Sequence, residues 1–116
     1  PNTALTIAQT YNNTDNAVTL DGAGTGLTLQ AGNYLVEYSA NATGATDSAT
    51  LAAYLDGTQI PQTVSTATVT STSEVQPLSG RYVVTVPSGG STLDIRNGGT
   101  NAFTANNLSI TVIPLS

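Results

Sequence analysis

Apolar residues in this chain recur at every second position, and turn-forming residues cut the runs about every 8–12 positions. The clearest case runs from Asn33 to Asn41. Tyr34, Val36, Tyr38 and Ala40 fall on one side, and Leu35, Glu37, Ser39 and Asn41 on the other. Leu78 to Val86 repeats the pattern with Leu78, Gly80, Tyr82, Val84 and Val86. A period of two matches the pleat of a β-strand and cannot line one face of a helix. No window carries a capped apolar pattern of helical period.

The other segments read the same way. Ala4 to Gln9 places Leu5 and Ile7 on one face, and Ala17 to Leu20 pairs Val18 with Leu20. The glycine-rich turn Asp21-Gly22-Ala23-Gly24-Thr25-Gly26 leads into Leu27 and Leu29. Ala49 to Leu55 and Thr58 to Val64 flank Asp56-Gly57, a two-residue hairpin signal of type I′. Pro61 cannot donate to a ladder, so the second arm is expected to be an edge strand or a bulge. Thr66 to Val75 has little to bury and reads as an edge strand. Ser91 to Asn97 sends Leu93 and Ile95 inward and Thr92, Asp94 and Arg96 outward, and Asn107 to Leu115 carries Leu108, Ile110 and Val112 on one face. Roughly eight to ten short strands in one chain read as an all-β antiparallel sandwich or jelly roll, a single domain over residues 1–116.

Composition narrows the function. The chain has no Cys, Met, Trp, His or Lys, and its only basic side chains are Arg81 and Arg96. Without His there is no Ser-His-Asp triad, no imidazole metal ligand and no switch near neutral pH. Without Cys there is no disulfide frame or thiolate nucleophile, and without Lys no Schiff base. A formal charge of −5 with two cations cannot neutralise a run of phosphates, so neither a nucleic-acid partner nor an anionic membrane surface is expected. No apolar stretch approaches the ~20 residues of a membrane span, so no membrane insertion is expected. Abundant Thr keeps an exposed strand face wet without charge, which suits a surface-displayed β module. The chain opens at Pro1, as expected of a piece cut from a longer protein.

The carboxylates carry little chemistry of their own. Asp21, Asp47 and Asp56 sit in turns, where Asp bonds its own backbone. Glu37 stands out because it lies mid-strand; the expectation is a solvated face or a pair with an Arg. The glycine-rich turn at 21–26 lacks the Lys and the following helix of a phosphate loop. No Asp-x-Asp-x-Asp spacing marks a calcium loop. No catalytic residue, cofactor or metal is expected. Three Asn-x-Ser/Thr sequons, at Asn12, Asn41 and Asn107, arise readily in so Asn- and Thr-rich a chain. Arg96 is expected to form an exposed pair with Asp94, and Arg81 lies on the phase opposite Tyr82. Tyr34, Val36, Tyr38, Tyr82, Val84, Leu108, Ile110 and Val112 are the candidate residues for the protomer core or for a subunit interface, where Tyr is enriched. So few large aliphatics make a marginal core, and association is one remedy for that.

The order of these segments resembles the C-terminal domains of bacterial collagen-like surface proteins of the exosporium type. The residues that carry the likeness are Leu29 to Thr43, Ala53 to Pro61, Leu78 to Pro87, Ser91 to Asn97 and Asn107 to Ser116. They cover most of the chain from residue 27 onward, in order. The resemblance implies a C1q/TNF-like jelly roll assembled as a homotrimer. It implies a domain that nucleates and caps a collagen-like stalk and forms the distal tip of a surface filament, outside the cell, on a spore or cell surface. It offers no catalytic residues to carry over. Phage and viral fibre tips share this architecture, so the alternative is a receptor- or glycan-binding head on a virion. Tyr11, Phe103, Asn12-Asn13 and Asn106-Asn107 are the loop candidates for such binding.

Overall fold

The computed structural model describes residues 18–20, 25–45, 47–69, 71 and 73–115. The expected strand at Ala4 to Gln9, Tyr11, Asn12-Asn13 and most of the glycine-rich turn lie outside the described residues.

Among the described residues nine strands follow one another: β1 (Val18–Leu20), β2 (Leu27–Leu29), β3 (Gly32–Thr43), β4 (Ser48–Leu55), β5 (Thr58–Gln59), β6 (Ser65–Thr68), β7 (Gln76–Val86), β8 (Ser91–Asn97) and β9 (Thr104–Pro114). They form two antiparallel sheets. One runs β1-β2-β8-β4-β5, with β6 also paired to β4, and the other runs β7-β3-β9. β2 lies beside β8, β8 beside β4, and β3 between β7 and β9, neighbours far apart in sequence as in a jelly roll.

The sheets close on the alternating residues that the sequence marks. Tyr34, Val36, Tyr38, Ala40 and Ala42 of β3 face Leu27, Leu29, Ala49, Leu51, Ala53, Leu93 and Ile95, with Leu78, Val84 and Val86 of β7 in the same cluster. Alanines supply much of this core, so Tyr34 and Tyr38 fill volume that Leu or Phe supplies elsewhere. Each tyrosine then needs a partner for its hydroxyl. Tyr34 donates to Gln30 O at 2.6 Å, and Tyr38 to Thr63 O and Leu51 O at 2.6 and 3.0 Å.

Asp56 and Gly57 form the two-residue turn, with φ of 51° and 81°, the left-handed pair that type I′ demands. Asp56 also ties this turn to the next strand: its carboxylate accepts from the Thr92 N–H at 2.9 Å.

Four expectations need correction. Pro61 does not continue a strand; it opens a 3₁₀ turn over Pro61–Thr63, where its missing N–H costs nothing. The strand expected over Thr66 to Val75 stops at Thr68, and local hydroxyl bonds then hold a turn: Ser71 Oγ meets Ser73 Oγ at 3.0 Å and accepts from Ser73 N at 3.3 Å. Asp94 points outward as expected but is buried, because Arg96 lies over it. Tyr82 keeps the inward phase yet is 41% exposed, so it does not belong to the core.

β9 also carries a bulge. Ser39 pairs with Ser109, but Asn41 pairs with Asn106, so Asn107 and Leu108 together oppose Ala40. Asn107 absorbs the extra residue at φ 58°, a conformation that Asn tolerates better than most residues.

Candidate functional site

The outer face of the β7-β3-β9 sheet holds the candidate site. Register places its side chains in cross-strand rows. Val83, Leu35 and Ile113 form an apolar row. Arg81, Glu37 and Thr111 form the next row, and Ser79, Ser39 and Ser109 the one after. Val83 and Ile113 are 50% and 45% exposed, and Leu115, just past β9, is exposed as well. The Leu115 N–H donates to Asn33 O at 2.8 Å, which carries the pairing of β9 with β3 one residue further.

Beside the apolar row lies a shallow depression of about 470 Å³, lined by Glu37, Ser39, Ser79, Arg81, Ser109 and Thr111 together with Tyr38 and Gly80. Glu37 and Arg81 are directly opposed across the strands, and Arg81 Nε lies 3.4 Å from Glu37 Oε2. Both side chains stay open to water, 43% and 66% exposed. The expected pairing of Glu37 with an Arg is therefore found.

The other arginine behaves oppositely. Arg96 donates to both carboxylate oxygens of Asp94, from Nε at 2.8 Å and Nη2 at 3.1 Å. Its guanidinium lies 4.9 Å from the centre of the Tyr54 ring. The bond to Asp94 holds the Arg96 guanidinium above its ordinary pKa. Tyr54 in turn accepts from Gln59 Nε2 at 3.1 Å, and Gly98 packs against Ala52 and Tyr54. This cluster covers the outer face of β4 and β8. The expectation of an exposed Arg96 pair is reversed: Arg96 is the covered cation and Arg81 the open one.

The candidate core or interface residues divide. Tyr34, Val36, Tyr38 and Val84 are buried within the protomer. Leu108, Ile110 and Val112 are half-buried against the same core, and Tyr82 is exposed. The outward row of Leu35, Val83 and Ile113 was not anticipated. Its signal is present in the sequence as the uninterrupted apolar runs Tyr34-Leu35-Val36 and Tyr82-Val83-Val84, which break strict alternation where both faces of a strand meet apolar surroundings. Of the loop candidates for ligand binding, Phe103 packs against the core, and Asn106 donates to Thr43 Oγ1 at 3.0 Å.

Among the described residues no group of three or more Asp or Glu side chains is placed to hold a metal ion. Among the described residues no helix is long and apolar enough to cross a membrane.

No protein-family profile matches the chain. No curated protein matches it either. Among solved structures it is similar to the tumour necrosis factor Eiger of S. frugiperda, with a TM-score of 0.69 and 14% identity over 85% of this chain and 69% of that one. It is also similar to a sugar-binding protein, the EclA C-terminal domain, with a TM-score of 0.45 and 18% identity over 74% of this chain and 64% of the other. The second likeness is too slight to argue from. The first shows the fold: an antiparallel β-sandwich of the C1q/TNF-like jelly-roll type.

Proposed function

We propose that this chain is a non-enzymatic head domain that assembles with copies of itself as a homotrimer. In this reading it is the distal tip of a collagen-like surface filament, where it nucleates and caps the stalk outside the cell. The observation that carries the proposal is the apolar row of Val83, Leu35 and Ile113 on the outer face of the three-stranded sheet. A folded β-sandwich normally turns one face of each sheet to water with polar side chains. Here the six-stranded sheet covers its own outer face around Tyr54 with Arg96 and Gln59, whereas the three-stranded sheet leaves its apolar row open. A core so rich in alanine gains from burying that row against a second copy.

The TNF-like fold supports this reading, as does the resemblance of the segments from Leu29 to Ser116 to collagen-like surface proteins. The absence of His, Cys and Lys supports the non-enzymatic part. Light scattering or native mass spectrometry tests the assembly. A species of three 11.7 kDa chains is the expected result, and a concentration-independent 11.7 kDa species overturns it. The filament context is tested by the residues that precede Pro1 in the full gene product: a Gly-X-Y run is expected there, and a globular domain in its place overturns that part.

A further inference from the structure

We infer that Glu37 and Arg81 exchange partners between copies: in the trimer the Arg81 guanidinium of one protomer pairs with Glu37 of the next, closing a ring of three acids and three bases around the symmetry axis. This rests on the self-assembly reading above.

The chain carries −5 and has two cations, so two copies repel over most of their surface. Arg96 is taken up by Asp94 and Tyr54 within its own protomer. Arg81 is the cation left on an open face, and that face is where a second copy can approach with favourable charge.

Within the protomer Arg81 Nε lies 3.4 Å from Glu37 Oε2, longer than a good charge-assisted bond of about 2.7–2.9 Å. The planar fork of an arginine is made for two parallel bonds. The pair therefore leaves bonding capacity on both partners.

The depression of about 470 Å³ lies at the level of this pair, so a neighbour's side chains have room to enter. On one side it is bounded by the apolar row, and on the other by the hydroxyl row of Ser79, Ser39 and Ser109. Copies that meet across the apolar row exclude water from that side, and attraction between the charges strengthens as the surroundings dry. Acid and base sit side by side on neighbouring strands. A rotation about an axis facing this sheet therefore brings the base of one copy level with the acid of the next, and three such steps close the ring.

The experiment is charge exchange read by native mass spectrometry and sedimentation. Glu37→Arg, Arg81→Glu, the double exchange and an equimolar co-expression of the two single variants are compared with the parent chain. Both side chains are exposed, so each variant is expected to keep the parent's circular dichroism. Each single variant is expected to weaken trimer formation at least about 100-fold in concentration midpoint, and the double exchange to restore it. The double exchange rebuilds an internal pair as readily as a ring, so the mixture is the decisive arm: a 2:1 mixed trimer holds two attractive junctions and one repulsive, against three repulsive junctions in either single variant, so mixed trimers are expected at a concentration between that of the single variants and that of the parent. A mixture that assembles no better than the single variants overturns the ring, as do single variants that assemble like the parent. A lowered melting temperature at unchanged trimer mass also overturns it, because the pair then acts within one chain. In each of these cases a trimeric parent leaves the assembly reading standing, whereas a monomeric parent overturns that reading itself.

Discussion

The Tyr38 hydroxyl donates to the Thr63 carbonyl at 2.6 Å, joining the middle strand of one sheet to a turn 25 residues away beside the other. Leu51 O shares the same hydroxyl at 3.0 Å. Thr63 is fully buried, and its own hydroxyl donates to Ile60 O at 2.7 Å while accepting from the Ala53 N–H at 2.9 Å. A short chain of hydrogen bonds thus crosses the inside of the sandwich. Buried polar groups are stabilising only when satisfied, and here each has its partner.

Removing the Tyr38 hydroxyl takes a donor away from the Thr63 and Leu51 carbonyls inside the sandwich. Tyr38→Phe is expected to cost about 1–3 kcal/mol, the range for leaving a buried acceptor unpaired. Tyr38→Ala also empties the ring volume and is expected to cost about 3–5 kcal/mol. Urea unfolding at fixed protein concentration measures both. Equal losses from the two variants would mean that the hydroxyl, rather than the ring, carries all of Tyr38's contribution.

Gly80 is the close-approach position behind this bond. A Cβ there would lie 2.5 Å from Thr63 O and 2.7 Å from Tyr38 Cε2. Gly80→Ala is expected to push the 3₁₀ turn away from β7, at about 1–3 kcal/mol. Gly44 has open space around it and a φ of +78°, so Gly44→Ala costs only backbone strain, about 1 kcal/mol. The near-ultraviolet circular dichroism of the tyrosines separates the two: it should change for Gly80→Ala and hold for Gly44→Ala.

These contacts mark where sequence reading stops. The buried phase of β3, the Asp56-Gly57 turn and the inward Leu93 and Ile95 are legible because each depends on neighbours in sequence and a period of two. The 3₁₀ turn at Pro61 is not, since Thr63 is held by Ala53, Ile60 and Tyr38, which no local pattern links to it. The burial of Asp94 depends on Arg96 stacking over Tyr54 of another strand. The bulge at Asn107 shows only in the register with β3. The outward row of Leu35, Val83 and Ile113 was hidden by the rule that produced the fold: strict alternation gives each strand one buried face and assigns the other to water.

Stability is expected to be level across neutral pH and to fall at both extremes. Donors of the Ser91–Thr92 segment, with the Thr92 N–H bonded at 2.9 Å, hold the Asp56 carboxyl below its ordinary value of 3.8. A lowered folded pKa adds stability above 3.8 that is lost as the pH falls through the folded value. Burial pushes the Tyr38 phenol above its ordinary value of 10.0. A raised folded pKa adds stability that is complete below 10.0 and is lost as the pH climbs beyond it, because the unfolded phenol ionises first. With no His in the chain, no unperturbed side chain titrates between pH 6 and 8. Melting temperatures from pH 3 to 11 check the plateau and its two edges. Tyr38→Phe should remove much of the alkaline fall. EDTA at pH 7 should leave the melting temperature unchanged, and a clear drop would point to a bound cation.

The two arginines should separate cleanly under the same substitution. Arg96→Gln leaves the Asp94 carboxylate, 8% exposed, without its bidentate partner and takes the cation off Tyr54. Breaking one half of a buried pair costs about 3–5 kcal/mol, and the residual exposure of this pair puts the expected loss at the lower end, about 3 kcal/mol. Arg96→Lys keeps the charge but neither the fork nor the stacked plane, so it should recover only part of that. Arg81→Gln removes a pair that water already screens, and the stability of the protomer should change by no more than about 1 kcal/mol. Denaturant unfolding, with chain mass followed in parallel, distinguishes a loss within the protomer from a loss of assembly. If Arg96→Gln and Arg81→Gln destabilised the folded protomer equally, the covered cluster on β4 and β8 would contribute no more than an exposed pair.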